Sequence, residues 1–231
     1  MSKSVLIIAP SGSGKTTSIR TLNPSETFII NSLGKDLPWK GSAKQYTYYD
    51  KDKNPNGNML KTTNSQVILQ WMRGISEKMP HIKSIIIDDN TFLTSMELLR
   101  RAKESSWDKF TDAAQNLISI AELSKGLRDD LVVFVMHHTQ ESGDGILEEK
   151  RTRAMSYGKL VDEKLGTLEA QFTIVLRASK EKHDNDISYV FYTKDANSTA
   201  KTPIEMFDTD TIPNDLEYVR KQILCYYNGD C

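Results

Sequence analysis

Apolar positions along this chain fall into short unbroken runs that alternate with helical stripes. Val5 to Ala9 carries no polar residue, the pattern of a strand buried on both faces of a parallel sheet. Thr27 to Asn31, Lys83 to Asp88 and Leu131 to Met136 repeat that pattern. Between them the period becomes helical. Asn64 to Met79 puts Val67, Ile68, Trp71, Met72, Ile75 and Met79 on one face. Phe92, Leu93, Met96 and Leu99 form a second stripe, and Phe110, Ala113, Ala114, Leu117, Ala121 and Leu127 a third; all are expected in the core. Phe172 to Ala178 and Ile187 to Thr193, parted by a polar turn, predict a C-terminal hairpin. Ser32 to about Thr63 is a long irregular insertion, with Tyr46 to Asp50 as a short edge strand. With right-handed helical crossovers, this order predicts an α/β fold: a doubly wound, mostly parallel sheet with helices on both faces. The first apolar run is its first strand, and the run ending at Asp88 its third.

The loop after the first run carries chemistry. Ala9-Pro-Ser-Gly-Ser-Gly-Lys-Thr16 matches the phosphate-binding pattern G-x-x-x-x-G-K-[ST], with Ala9 at a position that needs only a small residue. Ser11, Gly12, Ser13 and Gly14 supply backbone N–H groups to phosphate oxygens. Lys15 reaches the β- and γ-phosphates, Thr16 offers a hydroxyl to Mg²⁺, and Thr17 completes the turn. A helix from Lys15 to about Leu22 aims its positive end at the same anion. Nucleoside triphosphate binding follows.

Such a site needs a carboxylate on a neighbouring strand, and Ile85-Ile-Ile-Asp-Asp89 supplies two. Asp88 is the metal-side acid. Asp89 is placed to orient or deprotonate the attacking water, or to cap the helix that begins near Thr91. His138 ends a central strand at the sheet edge where open α/β folds bind ligands, so it is a candidate γ-phosphate sensor, ahead of His137.

Composition narrows the class. The 231 residues, 26% charged and 38% hydrophobic, suit one compact domain, 1–231, rather than a disordered chain. No run of 18 apolar residues exists, and a strand that starts almost at Met1 leaves no room for a signal peptide, so the expectation is a cytoplasmic protein without a membrane partner. Cys225 and Cys231 show no metal spacing and are expected as free thiols. A net charge of -1 excludes a globally basic nucleic-acid binder. A local basic surface remains open at a mobile loop over about Thr139 to Tyr157. There Lys150, Arg151 and Arg153, with Lys159 just beyond, are candidate contacts for phosphates of single-stranded DNA or for a neighbouring subunit's nucleotide. Glu148 and Glu149 neutralise part of that charge, which leaves a plain solvated loop as the other option.

Several segments together resemble a bacteriophage ATP-binding protein family of the RecA-like branch of P-loop ATPases, related to phage single-strand-annealing or recombination ATPases. They are the P-loop, Thr27 to Asn31, Leu33 to Gly41, Ile85 to Asp89, Leu127 to Leu131, Gly158 to Lys164 and Ile212 to Leu216. The resemblance implies a RecA-like core, ATP with Mg²⁺, and a role in phage DNA replication, recombination or repair in the host cytoplasm. It also implies nucleotide sites completed between subunits of a homo-oligomer. One departure is visible: such ATPases place a catalytic glutamate at or just after the second strand, where this chain has Asn31-Ser-Leu-Gly34. Three alternatives remain. A small-molecule kinase would want an arginine-rich lid, which is not evident. A GTPase would want N-K-x-D, which Thr193-Lys-Asp195 only approaches. A slow or non-hydrolysing nucleotide switch that binds a protein partner is the serious rival.

Overall fold

The computed structural model describes residues 1–143, 150–156, 166–183 and 186–229. Eight strands form one sheet: β1 (Lys3–Ile8), β2 (Thr27–Asn31), β3 (Met59–Lys61), β4 (Ser84–Asp88), β5 (Val132–His137), β8 (Ile174–His183), β9 (Asp186–Tyr192) and β10 (Thr211–Pro213). Their order is β10-β9-β8-β1-β5-β4-β2-β3. From β8 to β3 every pairing is parallel; β9 and β10 add an antiparallel edge. β5 therefore lies between the P-loop strand β1 and the acidic strand β4. This is the mixed α/β, mostly parallel architecture that the sequence pattern predicts, C-terminal hairpin included.

The pleat sorts each apolar run onto two cores. On one face Val5, Ile7, Ile29, Ile86 and Phe134 pack with Leu216, Val219 and Ile223 of α5 (Leu216–Asn228). On the other, Leu6, Ile8, Phe28, Ile30, Ile85 and Val133 meet Ile68, Met72 and Ile75 of α2 (Ser65–Lys78). Leu117 and Ile120 of α4 (Asp108–Leu123) close that second core. The Asn64 side chain starts α2 by accepting from the N–H groups of Gln66 and Val67. A strand buried on both faces can carry no polar break, which is why these runs are unbroken.

Five expectations need correction. The edge strand is Met59–Lys61, not Tyr46 to Asp50; Tyr48 only bridges to Met59, and the insertion also holds the single turn α1 (Ser42–Gln45). The acidic strand is accordingly fourth in chain order. The turn after the P-loop is a six-residue 3₁₀ segment, Thr16–Thr21, with Ser18 N–H close to the carbonyls of both Gly14 and Lys15. Leu99 and Phe110 are exposed rather than core. The reason lies in the helix directions. α3 (Thr91–Arg100) runs antiparallel to α4, with Arg101 paired to Asp112 and Glu97 accepting from Asn116. α4 ends at Ser124, bonded to Ser2 at the foot of β1. The α3–α4 turn thus stands beyond the C-terminal edge of the sheet, where Leu99, Trp107 and Phe110 have little to pack against. Lastly, Cys225 is disulfide-bonded, not a free thiol.

Candidate functional site

Parallel strands bring their C-terminal ends to one edge, and the connections that leave those ends build the site. β1 delivers the P-loop and β4 delivers Asp88 and Asp89. β5, between them, delivers His137 and His138. A cavity of about 560 Å³ opens there, lined among others by Gly12, Lys15, Thr16, Asp89 and His138.

Its closed half joins Thr16 to Asp88. The Thr16 hydroxyl lies 3.0 Å from one carboxylate oxygen and 3.2 Å from the other. Asp88 is buried, and its carboxyl is pushed up to about 6, first by burial and then by Asp89. Thr16, Lys15 and the Asp89 N–H pull the other way. Lys15 is also buried; its ammonium donates to the carbonyls of Ala9 at 2.6 Å and Pro10 at 3.1 Å. Burial lowers its pKa to about 8, against the attraction of Asp88 and Asp89. A carboxylate and a hydroxyl are hard oxygen donors, and Mg²⁺ in triphosphate sites takes few protein ligands beside phosphate and water. Thr16 and Asp88 fit that ion. Among the described residues no cluster of three His, Cys, Asp or Glu side chains offers an all-protein metal site.

The open half centres on Asp89. Its backbone has φ +56°, a left-handed conformation that costs a non-glycine residue of order 1 kcal/mol and turns the chain sharply off the strand. Its carboxylate meets Lys35 Nζ at 2.9 Å and His138 Nε2 at 3.3 Å. Burial raises the Asp89 pKa, but those two partners outweigh it and the net direction is down. Asp89 does not cap α3 through its side chain, and neither does Asn90. Asn90 instead bonds His137 Nδ1 at 3.1 Å, and Thr91 accepts from the His138 N–H at 2.7 Å.

The two histidines differ. His137 is buried between Asn90 and the Met155 carbonyl, 2.7 Å from Nε2, and burial lowers its pKa to about 4. With Nε2–H donating to Met155, Nδ1 accepts from Asn90. His138 faces the cavity, with Phe92 edge-on at 5.4 Å.

Asn31 stands level with Asp88 in the β2–β4 register. Its Oδ1 accepts from Gly34 N–H at 2.8 Å and its Nδ2 donates to the Lys35 carbonyl at 2.7 Å. It folds the turn that carries Lys35 into the cavity. Sequence patterns do not find Lys35, Pro38, Lys180 or Tyr189 as lining residues. Tyr189 lies against the phosphate loop itself: a Cβ on Gly14, at φ +92°, would stand 2.6 Å from its ring. Ser11, Gly14 and Thr17 line the cavity, while Ser13 is buried in the loop.

The segment expected as a loop after β5 is an antiparallel ribbon, β6 (Thr139–Ser142) with β7 (Arg151–Ala154). Lys150 and Arg151 are exposed and Arg153 is half-buried; Arg151 and Arg153, two apart, share a face of β7. Met155 N–H returns to the His138 carbonyl at 2.8 Å, so the ribbon is rooted at the cavity wall. Lys159, Glu148 and Glu149 lie outside the described residues. Asp195, the acid of the near-match to a guanine motif, is paired with Arg177 at 2.6 Å. None of the described helices is long and apolar enough to cross a membrane.

No family model matches the chain, and no curated protein does. Among solved structures it is similar to a KaiC-like protein of the hyperthermophilic archaeon Pyrococcus horikoshii OT3. Identity is 12%, with 82% of this chain and 77% of that chain covered, at a TM-score of 0.46.

Proposed function

We propose that this chain is a Mg²⁺-dependent ATPase of RecA-like type that works on DNA, in phage recombination, replication or repair, and binds single strands. The observation that carries the nucleotide part is the Thr16–Asp88 contact beside the buried Lys15, since hydroxyl, carboxylate and ammonium are the groups a Mg²⁺-triphosphate needs. The P-loop N–H groups cradle the phosphates, and Lys15 leaves its two carbonyl partners for the β- and γ-oxygens. Mg²⁺ held by Thr16 and Asp88 would neutralise charge on those oxygens. Asp89, whose lowered pKa makes it a poor proton acceptor, orients the attacking water more than it deprotonates it. His138 holds Asp89 from one side and, through its backbone, the root of the ribbon. With Asn31 in place of an acid, turnover is slow until an effector engages.

The DNA part is supported by Arg151 and Arg153 on one face of a ribbon rooted at His138, and by the phage-family resemblance of the sequence. That resemblance also supports a homo-oligomer acting in the host cytoplasm. A nucleotide switch that binds a protein partner is the second reading, favoured by the tied carboxylate of Asp89. Single-turnover ATP hydrolysis with and without single-stranded DNA separates the two. DNA acceleration of ~10-fold or more supports the first; no acceleration, with tight ATP retention, supports the second.

A further inference from the structure

Lys35 is the one cavity-lining cation carried by the insertion, and its place is set by three features. Asn31 clamps the turn on both sides of Gly34, as described. Gly34 takes φ +67°, and a Cβ there would stand 2.5 Å from the Lys61 side chain. The Lys35 ammonium reaches Asp89 at 2.9 Å and, through space, lowers the pKa of Lys15. Lys15 and Lys35 therefore share one cavity, Lys15 from the floor of the phosphate loop and Lys35 from the rim on the Asp89 side, while Lys180 borders it beside Gly12.

The ion pair is easily exchanged. The Lys35 side chain is 63% exposed and that of Asp89 8%. The lysine end of the pair stands in water, so the ammonium can move away from Asp89 without giving up a buried place of its own. A γ-phosphate, with more charge and three acceptor oxygens, outcompetes one carboxylate for a lysine already at the rim.

Lys35 also begins a wall with two sides. Lys35 and Pro38 line the P-loop cavity. Lys35, Asp36 and Leu37 line a second cavity of about 520 Å³ inside the insertion, with Tyr46, Tyr48 and Met59. Trp39 ends the wall, its Nε1–H donating to Gln45 at 2.9 Å and its ring edge-on to Tyr46 at 6.0 Å. A shift of Lys35 pulls on both cavities.

We propose that Lys35 reads the terminal phosphate: it leaves Asp89 for the γ-phosphate, and the Lys35–Pro38 wall carries that shift to the insertion. This rests on the nucleotide reading above. A ligand moves such an equilibrium only by binding its two forms differently, so a diphosphate, which lacks the contact, leaves the wall in place. Lys35 is a reader of the phosphate, and its release frees one oxygen of Asp89 toward the water.

The test compares Mg·AMP-PNP with Mg·ADP in wild type, Lys35→Met and Lys35→Arg by calorimetry. 5-Fluorotryptophan protein, with the Trp39 resonance assigned by Trp39→Phe, follows the wall by fluorine NMR. Lys35→Met is expected to lose ~10-fold in AMP-PNP affinity while ADP affinity stays within ~2-fold, and Lys35→Arg to retain most of the preference. The Trp39 resonance should shift with AMP-PNP but not ADP in wild type, and with neither in Lys35→Met. Equal losses for both nucleotides, no loss, or a Trp39 shift produced equally by ADP overturns the role of Lys35 alone. Failure of wild type to bind either nucleotide overturns the nucleotide site itself, and this role with it.

Discussion

The two halves of the cavity are built differently. The closed half, Lys15, Thr16 and Asp88, comes from residues that end buried strands or follow them directly, and all its polar atoms are held by partners a few ångströms away. The open half, Asp89, Lys35 and His138, is assembled from connections that meet only in three dimensions. Lys35 and Asp89 are 54 positions apart, Asp89 and His138 49. In the closed half Lys15 and Asp88 are buried. The open half holds an ion pair with one solvated end, Lys35, and one buried end, Asp89.

Breaking the closed half should give the largest effects. Asp88→Asn keeps the shape but removes the charge facing the metal, so hydrolysis should be abolished and Mg²⁺ should no longer strengthen nucleotide binding. The same change should stabilise the fold. The Asp88 pKa is raised from 3.8 to about 6, so between those values the folded chain binds the extra proton and stability falls as pH rises. At neutral pH the ionised group then costs on the order of 1–3 kcal/mol, and Asp88→Asn relieves it. Thermal unfolding at pH 7 should show a higher midpoint; a lower one contradicts the assignment of strain to that charge.

Within the open half, Asp89→Asn should spare binding and slow single-turnover hydrolysis by ~10²-fold. A wild-type rate would move the search for a water-orienting acid into the insertion or onto an adjacent subunit.

The ribbon should yield a smaller change. Each phosphate contact adds about 0.7 to the slope of log affinity against log salt for a single strand. Arg151→Ala with Arg153→Ala should flatten that slope by ~1.4, for all sequences alike. An unchanged slope removes the ribbon from any DNA interface.

The smallest effect concerns His137, a structural bolt. Its pKa is lowered from 6.5 to about 4, so the unfolded chain binds its proton first as pH falls. The stability it contributes is present above 6.5 and is lost between 6.5 and 4. Because Asp88 gains stability over part of the same window, the loss is read as a difference: urea unfolding of wild type minus His137→Gln should fall between pH 6.5 and 4, the Asp88 contribution being common to both.

These contrasts also mark what was legible in the sequence. The closed half was, because a phosphate loop needs fixed residue types at fixed spacing and its acid ends an unbroken apolar strand. The strands of the parallel sheet were legible for the same reason. Lys35 was not, since its role depends on Asn31 folding a turn toward a strand far along the chain. Leu99 and Phe110 misled because helical spacing reports a shared face, not whether the sheet extends far enough to cover it. The Thr139 to Tyr157 segment reads as a loop in the sequence because its glycines and dense charge mask the pairing of Thr139–Ser142 with Arg151–Ala154. Asp89 looked like a helix cap from its position alone, yet its left-handed backbone turns the carboxylate to Lys35 and His138 instead.

Everything proposed for the cavity depends on Lys15, Thr16 and Asp88 holding one Mg²⁺-triphosphate. Calorimetric titration with Mg·AMP-PNP, comparing wild type and Lys15→Ala, tests it most directly. The account predicts saturable binding in wild type, a loss of ~10²-fold or more in Lys15→Ala, and an unchanged or higher unfolding midpoint, because a lysine with a lowered pKa adds little to the fold. Equal affinity in the two proteins, or no binding by wild type, would contradict it.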